Sequence, residues 1–469
     1  FNKACQCDEP FFVMYKLNSV KKNIIVDTIT PVSIYLKLRD KYSNTILLES
    51  SDYSAKDNSY AYICCNPIAK FYVKKNTLFT EYPDGSKFQK EVAKDIRIFS
   101  ELEKFMNKFI IQDDSNQSKK YISKGLFGYM TYDSVRFFEK ININNESFGD
   151  DIPDIYYSLY SEIIVINTFN NEANLISHSG NKNKIDEIEK LIKGKKTNEF
   201  SFKLNGKLES NLTDDEFLKM VDDGIKHCYR GDVFQIVLSR KFSQKFSGDE
   251  FCVYRQLRSI NPSPYLFYFD YGSFKIFGSS PEAQLVIKDK KAEIHPIAGT
   301  FKRSGDDAVD KEKAIKLFED DKENSEHMML VDLARNDLSR SCSNVKVEKD
   351  REIQFYSHVI HLVSKVTGEL KSPSNDIIGN TFPAGTLTGA PKFRAMELIE
   401  EYENHTRSFY GGAIGFIDFD NNFNHAIMIR SFLSKNQNLL LQAGAGIVSK
   451  SNRHNELNEV YNKIGALLK

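Results

Sequence analysis

PYLFYFDYGSFKIFGSSPEAQLVIKDKKAEIHPIAGT, residues 264–300, packs four β-like runs into one short stretch. Each run is rich in Tyr, Phe, Ile or Val, and each gap is a brief polar or Gly/Pro-containing turn. Working outward, VFQIVLSRKF (233–242) lies before them, and AIGFID (413–418), HAIMIRSFL (425–433) and NLLLQAGAGI (438–447) lie after. The helical patterns are grouped instead of alternating with these strands. Thr213 with Glu216 forms a capping box that opens a helix through Tyr229. Two further helices are expected over Asp310–Asp337 and Pro391–Glu403, and a last one from about Asn455. Adjacent strands with clustered helices predict an α+β fold, with large, mostly antiparallel sheets packed against helices as a sandwich.

The first part of the chain is read in the same way. FFVMYKL (11–17), PVSIYLKL (31–38), NTILLES (44–50), AYICC (61–65) and IYYSLYSEIIVINTF (155–169) read as strands, with helices over Ile96–Ile111 and Ile185–Ile192. A Lys- and Asn-rich stretch, Asn181–Asn205, reads as a linker between lobes. The boundary is placed near Lys203, dividing an N-terminal lobe (1–203) from a second domain (204–469). At 469 residues two lobes are expected.

Lys+Arg and Asp+Glu number 64 each, so no net field favours nucleic acid or an anionic membrane. The seven cysteines (5, 7, 64, 65, 228, 252 and 342) lack paired CxxC spacing and suggest reduced thiols. No apolar run reaches 18 residues, and no basic flank precedes an apolar core at the N-terminus. A cytoplasmic location is expected.

LFEDDKENSEHMMLVDLARND, residues 317–337, places Glu319, Glu323 and Glu326 at steps of four and three. On one helix their carboxylates share a face, and an oxygen-only cluster suits a hard cation such as Mg²⁺. An acidic helix N-terminus in solvent has the same pattern. Met328, Met329, Leu330, Val331 and Leu333 are apolar enough to bury the second half. Glu456 and Glu459 repeat the i, i+3 spacing near the C-terminus. In FPAGTLTGAPKFRAME (382–397), Gly385 and Gly389 leave backbone bare before a helix. Lys392 and Arg394 could add charge there for an anion. In LQAGAGI (441–447) a strand ends almost without side chains, which marks close approach by a ligand or another backbone. Either glycine segment is equally consistent with an ordinary turn.

Taken together, these segments resemble the chorismate-utilising enzymes, and within them the anthranilate synthase component I branch. The likeness runs through LLES (47–50), GLFGYMTYDSVRFFE (125–139), FQIVLSR (234–240), NPSPYLFYF (261–269), SSPE (279–282) and PIAGT (296–300). It continues through ENSEHMMLVDLARND (323–337), HLVS (361–364), PAGTLTGAPK (383–392), YGGAIGF (410–416), Arg430 and QAGAGI (442–447) to Glu459–Lys463. The resemblance implies the chorismate-binding enzyme fold and a Mg²⁺ site at Glu326 and Glu459, with Glu323 and Glu456 behind them. It implies substrate contacts from Gly299, Thr300, Tyr410, Arg430, Gly444, Ala445, Gly446 and Lys463. It also implies catalytic roles for Glu282 as general acid, for His361 in the elimination, and for Thr300 and Gln235. Gln235 stands where the water-adding members carry a lysine base, which favours amination over hydration. Ala298 stands where the aminodeoxychorismate-forming members usually carry a lysine nucleophile. The implied product is therefore anthranilate, with pyruvate released.

The resemblance further implies an allosteric tryptophan pocket at Ser50, Pro264, Tyr265 and Leu266, the last replacing a common Met. No amidotransferase-type Cys-His-Glu arrangement is seen, so a separate glutamine amidotransferase subunit is the implied ammonia source.

Overall fold

The computed structural model describes residues 13–50, 59–93, 97–112, 121–143, 150–195, 197–355, 359–371, 376–465 and 467. Cys5, Cys7, Phe11 and Phe12 lie outside the described residues, as does the side chain of Thr300.

Two antiparallel sheets are joined by two long strands, Tyr60–Lys74 and Ile155–Asn167, which pair with each other along their whole length. Beyond that shared pair, one sheet runs through Ile46–Glu49, Tyr265–Asp270, Phe274–Ser280, Ser431–Lys435, Asn438–Ile447 and Gln235–Gly248. The other runs through Gly125–Met130, Ala413–Asp418, Phe423–Ile427, Ala283–Lys288, Lys291–Ile294 and Val359–Leu370.

Alternation along the shared strands decides which face each residue serves. Tyr62, Cys64, Tyr160, Ile163 and Val165 join Phe127, Phe267 and Ile414 in a core made by both sheets. Their neighbours Ala61, Ile63, Ile164 and Ile166 point the other way, under helices that include Pro31–Arg39, Lys182–Lys193, Asp214–Arg230 and Arg453–Gly465. The second sheet buries its outer face under Ile98–Met106 and Asp321–Ser339. The expected sandwich of antiparallel sheets flanked by helices is what forms.

Several local expectations change. PVSIYLKL is a helix, Pro31–Arg39, because Thr30 accepts from the Ser33 N–H and Pro31 occupies the first turn. The single helix expected over Asp310–Asp337 breaks at Asp320, whose extended backbone ends Asp307–Glu319 and whose carboxylate caps Glu323 N–H at 2.9 Å. Glu319 is thereby taken off the face that holds Glu323 and Glu326. Met328 is exposed, whereas Leu330 and Val331 are buried. The capping box at Thr213 forms as read, and the helix runs to Arg230. Lys203 falls inside a strand, Phe202–Ser210, that pairs with Gln235–Gly248. Ladders between Ile46–Glu49 and Tyr265–Asp270, and between Gly125–Met130 and Ala413–Asp418, join strands from either side of that point.

Candidate functional site

Glu282 follows the strand Phe274–Ser280 and is carried into the interior. Its Oε1 accepts from Thr386 Oγ1 at 3.1 Å, and it lines a cavity of about 30 Å³ with Leu333, Gly385 and Thr386. Burial pushes its carboxyl up to about 8, a rise that Thr386 and the nearby Arg430 only partly oppose. Glu282 therefore holds a proton at neutral pH, as a general acid must.

His361 sits on Val359–Leu370 and is buried. Its Nδ1 lies 3.1 Å from the Gly299 carbonyl, which can only accept, so Nδ1 carries the hydrogen and Nε2 the lone pair. Burial lowers the imidazole to about 4, with Arg430 adding to the effect against the Gly299 bond. The ring is neutral at pH 7, with its lone pair at Nε2. Arg430 thus acts electrostatically on both Glu282 and His361.

Gly299 forms a bulge in the ladder between Ile297–Lys302 and Val359–Leu370, with φ +68°. A Cβ there would lie 2.9 Å from Leu317 Cδ1 and 3.2 Å from Glu323 Oε2. The missing side chain lets Glu323 approach bare backbone one residue before Thr300, whose own backbone pairs with His361.

A second group gathers on Asn438–Ile447. Beyond Leu441 this strand pairs only with Gln235–Gly248 among the described residues, leaving its other edge open. On that edge Gly444 offers its carbonyl to Lys463 Nζ at 2.7 Å and its N–H to the Tyr410 hydroxyl. Lys463 also pairs with Glu459 at 2.7 Å. A Cβ on Gly446 would lie 2.5 Å from Gln235 Nε2, so Gln235 rests on that glycine, and its buried Oε1 has no hydrogen-bond partner among the described residues. Ala445 between them is buried.

The four glutamates are not gathered into one ready cluster. Glu323 and Glu326 ride on Asp321–Ser339, while Glu456 and Glu459 ride on Arg453–Gly465. Among the described residues no three His, Cys, Asp or Glu side chains converge to hold a metal by themselves. The donor set is all carboxylate and suits a hard divalent ion. The anion site sketched around Lys392 and Arg394 does not form. Lys392 turns to Asp337 at 2.6 Å and to the Thr381 carbonyl, and Arg394 pairs with Glu397 on the surface.

Ser50, Pro264, Tyr265 and Leu266 come together through the ladder that pairs Glu49 with Leu266. Beside them Glu49 takes Arg258 through both oxygens and the Tyr254 hydroxyl at 2.7 Å.

Three supports, two of them buried, were not anticipated. Arg407 binds Glu403 through both carboxylate oxygens and donates to the Leu387 and Val237 carbonyls, tying the 385–389 turn to the strand that carries Gln235. The i, i+4 spacing of Glu403 and Arg407 was the one signal available. His327 Nε2 meets Ser364 Oγ at 2.7 Å, both wholly buried, and pins the glutamate helix to the strand of His361. Thr386 lay within a quoted segment, but its partner is 104 residues away.

A buried protonated acid, a neutral imidazole, an arginine acting on both and an open strand edge suit a small carboxylated substrate. Residues 49–469 match the family described as chorismate binding enzyme, and the chain belongs to that family. Anthranilate synthase component 1 of Aquifex aeolicus is 36% identical, across 97% of this chain and 94% of that protein. The protein of the same name from Methanothermobacter thermautotrophicus is 35% identical, across 96% and 94%. The crystal structure of anthranilate synthase component I from Streptococcus pneumoniae superposes with a TM-score of 0.73 at 28% identity, covering 95% of this chain and 99% of that one. The menaquinone-specific isochorismate synthase of Escherichia coli superposes with a TM-score of 0.72 at 17% identity, a likeness of fold. Within the family, the chain is a chorismate-utilising lyase of the anthranilate synthase component I kind. No described helix is long and apolar enough to cross a membrane.

Proposed function

We propose that the chain adds ammonia to C2 of chorismate as the C4 hydroxyl leaves, then eliminates pyruvate to give anthranilate for tryptophan synthesis. The observation that carries this reading is Glu282, buried with its Oε1 3.1 Å from Thr386 Oγ1 and its carboxyl pushed up to about 8 by that burial. It delivers the proton that lets hydroxide leave as water. His361, neutral with its lone pair at Nε2, takes a proton in the elimination step. Arg430, Tyr410, Lys463 and the open edge at Gly444–Gly446 receive the enolpyruvyl carboxylate. Gln235, with no basic group, orients the nucleophile and leaves water unactivated. Gly299 and Thr300 border the ring.

Mg²⁺ bound by Glu326 and Glu459, with Glu323 and Glu456 behind them, would neutralise the ring carboxylate and make the ring more electrophilic. A separate glutamine amidotransferase subunit supplies the ammonia, in keeping with the component 1 naming of the relatives. Tryptophan bound at Ser50, Pro264, Tyr265 and Leu266 inhibits the reaction, with Ser50 bringing the N-terminal lobe into the regulatory pocket.

The test mixes the purified chain with chorismate, Mg²⁺ and ammonium at mildly alkaline pH and identifies products by mass and fluorescence. Anthranilate and pyruvate are expected, with loss of turnover in EDTA and in Glu326→Ala and Glu459→Ala. Aminodeoxychorismate without pyruvate, or no turnover, would overturn the reading.

A further inference from the structure

Tyr410 reaches the open strand edge from a turn, Arg407–Gly412, that belongs to no helix or strand. Such a turn holds its side chain in place only if its own backbone is held. Ser408, two residues before Tyr410, has φ +52°, a left-handed conformation that a serine keeps only under constraint. The constraint comes from far away in the chain. Ser408 N–H donates to Asp133 Oδ2 at 2.9 Å, and Tyr132 N–H donates to the Ser408 carbonyl at 2.8 Å. Both backbone groups of the strained residue are therefore occupied by one dipeptide.

That dipeptide also packs on the turn. The Arg407 guanidinium lies 4.8 Å from the Tyr132 ring centre, and a Cβ on Gly411 would meet Tyr132 Cδ2 at 3.3 Å. Tyr132 and Asp133 are fixed in turn, since the Asp133 carbonyl accepts from Arg136 at 2.7 Å and Arg136 grips both oxygens of Asp154. Asp133 is 6% exposed, and its second oxygen, Oδ1, is buried with no hydrogen-bond partner among the described residues. A carboxylate kept in so poor a setting is explained by what its first oxygen holds. Burial, with repulsion from Asp154, accordingly raises it to about 7.

We infer that Asp133 is a positioning residue for the substrate site: through Ser408 it sets the Tyr410 hydroxyl against Gly444. The N-terminal third of the chain thus shapes the subsite through the backbone of the turn that carries Tyr410. The inference rests on the reading of Tyr410 as a chorismate contact.

The test is a double-mutant cycle on the full chain, measuring kcat and KM for chorismate with ammonium as donor. Asp133→Ala raises KM about tenfold, the worth of one hydrogen bond to a charged group, while kcat changes little. Asp133→Asn, whose amide oxygen still accepts from Ser408, keeps KM within about twofold of the parent. Tyr410→Phe raises KM, and adding Asp133→Ala to it gives little further increase. An unchanged KM in Asp133→Ala, or multiplicative effects in the double variant, would overturn the inference while leaving Tyr410 as a contact. An unchanged KM in Tyr410→Phe would overturn the contact and the inference together. Asp133→Asn keeps the cycle interpretable if the alanine variant fails to fold, because a KM raised as far as in Tyr410→Phe would then count against it.

Discussion

Glu282 is held in a state that is poor for stability and good for catalysis. Its folded value of about 8 lies above the ordinary 4.5, so the folded chain binds its proton more tightly than the unfolded chain does. Between those two values stability falls as pH rises, because deprotonation then favours the unfolded state. Glu282→Gln keeps the shape and removes the titration. We expect kcat to fall by about 10²- to 10⁴-fold, the usual worth of a positioned acid. The same variant should melt at a higher temperature than the parent at pH 9, with the gain shrinking toward pH 5. Melting curves at both pH values check it, and an equal shift at both would contradict the burial account. Activity that needs protonated Glu282 should decline as pH rises through about 8, whereas His361, at about 4, adds no acid limb near neutrality.

Among the elements, two glycine positions differ in what a side chain would strike. At Gly446 a Cβ would meet the flexible end of Gln235, at 2.5 Å from Nε2. Gly446→Ala should therefore displace the amide and reduce turnover while leaving the melting temperature close to the parent. At Gly299 the obstacle is Leu317 at 2.9 Å, and the backbone has φ +68°. Gly299→Ala should lose about 1–3 kcal/mol of stability and push Glu323 off its place beside the bulge. Urea titration of both variants separates the cases. The chain's reading as strand or helix failed where one capping group decided it. Thr30 turned an Ile- and Tyr-rich run into a helix, and Asp320 divided one helix into two.

At the level of the whole molecule, the Glu403–Arg407 pair joins parts of the site that are distant in sequence. Burial alone would push the Glu403 carboxyl up, and Arg407 outweighs it and holds it below the usual range. Arg407→Met leaves that buried carboxylate with only its Ser239 hydrogen bonds and no bonded cation, which should destabilise the fold by about 3–5 kcal/mol. Replacing both, as Glu403→Leu with Arg407→Met, should recover part of the loss in thermal unfolding. The proposed effector pocket is also a whole-molecule feature, since Ser50 meets Tyr265 and Leu266 only through a ladder between remote strands. The chain has no tryptophan of its own, so added tryptophan should show saturable binding by its emission. Anthranilate formation should fall over the same concentration range, and binding without inhibition would contradict the regulatory role.

What the sequence determined by itself was the chemistry on offer: antiparallel strands from alternation and short turns, helices from caps and spacing, and the acids, histidine, arginine and glycines of the site. These are local properties, written in neighbours a few residues apart. What only the tertiary structure decided was the partner of each group. Lys392 was a free cation in the sequence and is spent on Asp337 in the fold. Asp133 lay within a quoted segment, but the group it holds, the Ser408 N–H, is 275 residues away. Glu282 became an acid only through burial, which depends on what packs around it and not on its neighbours in the chain.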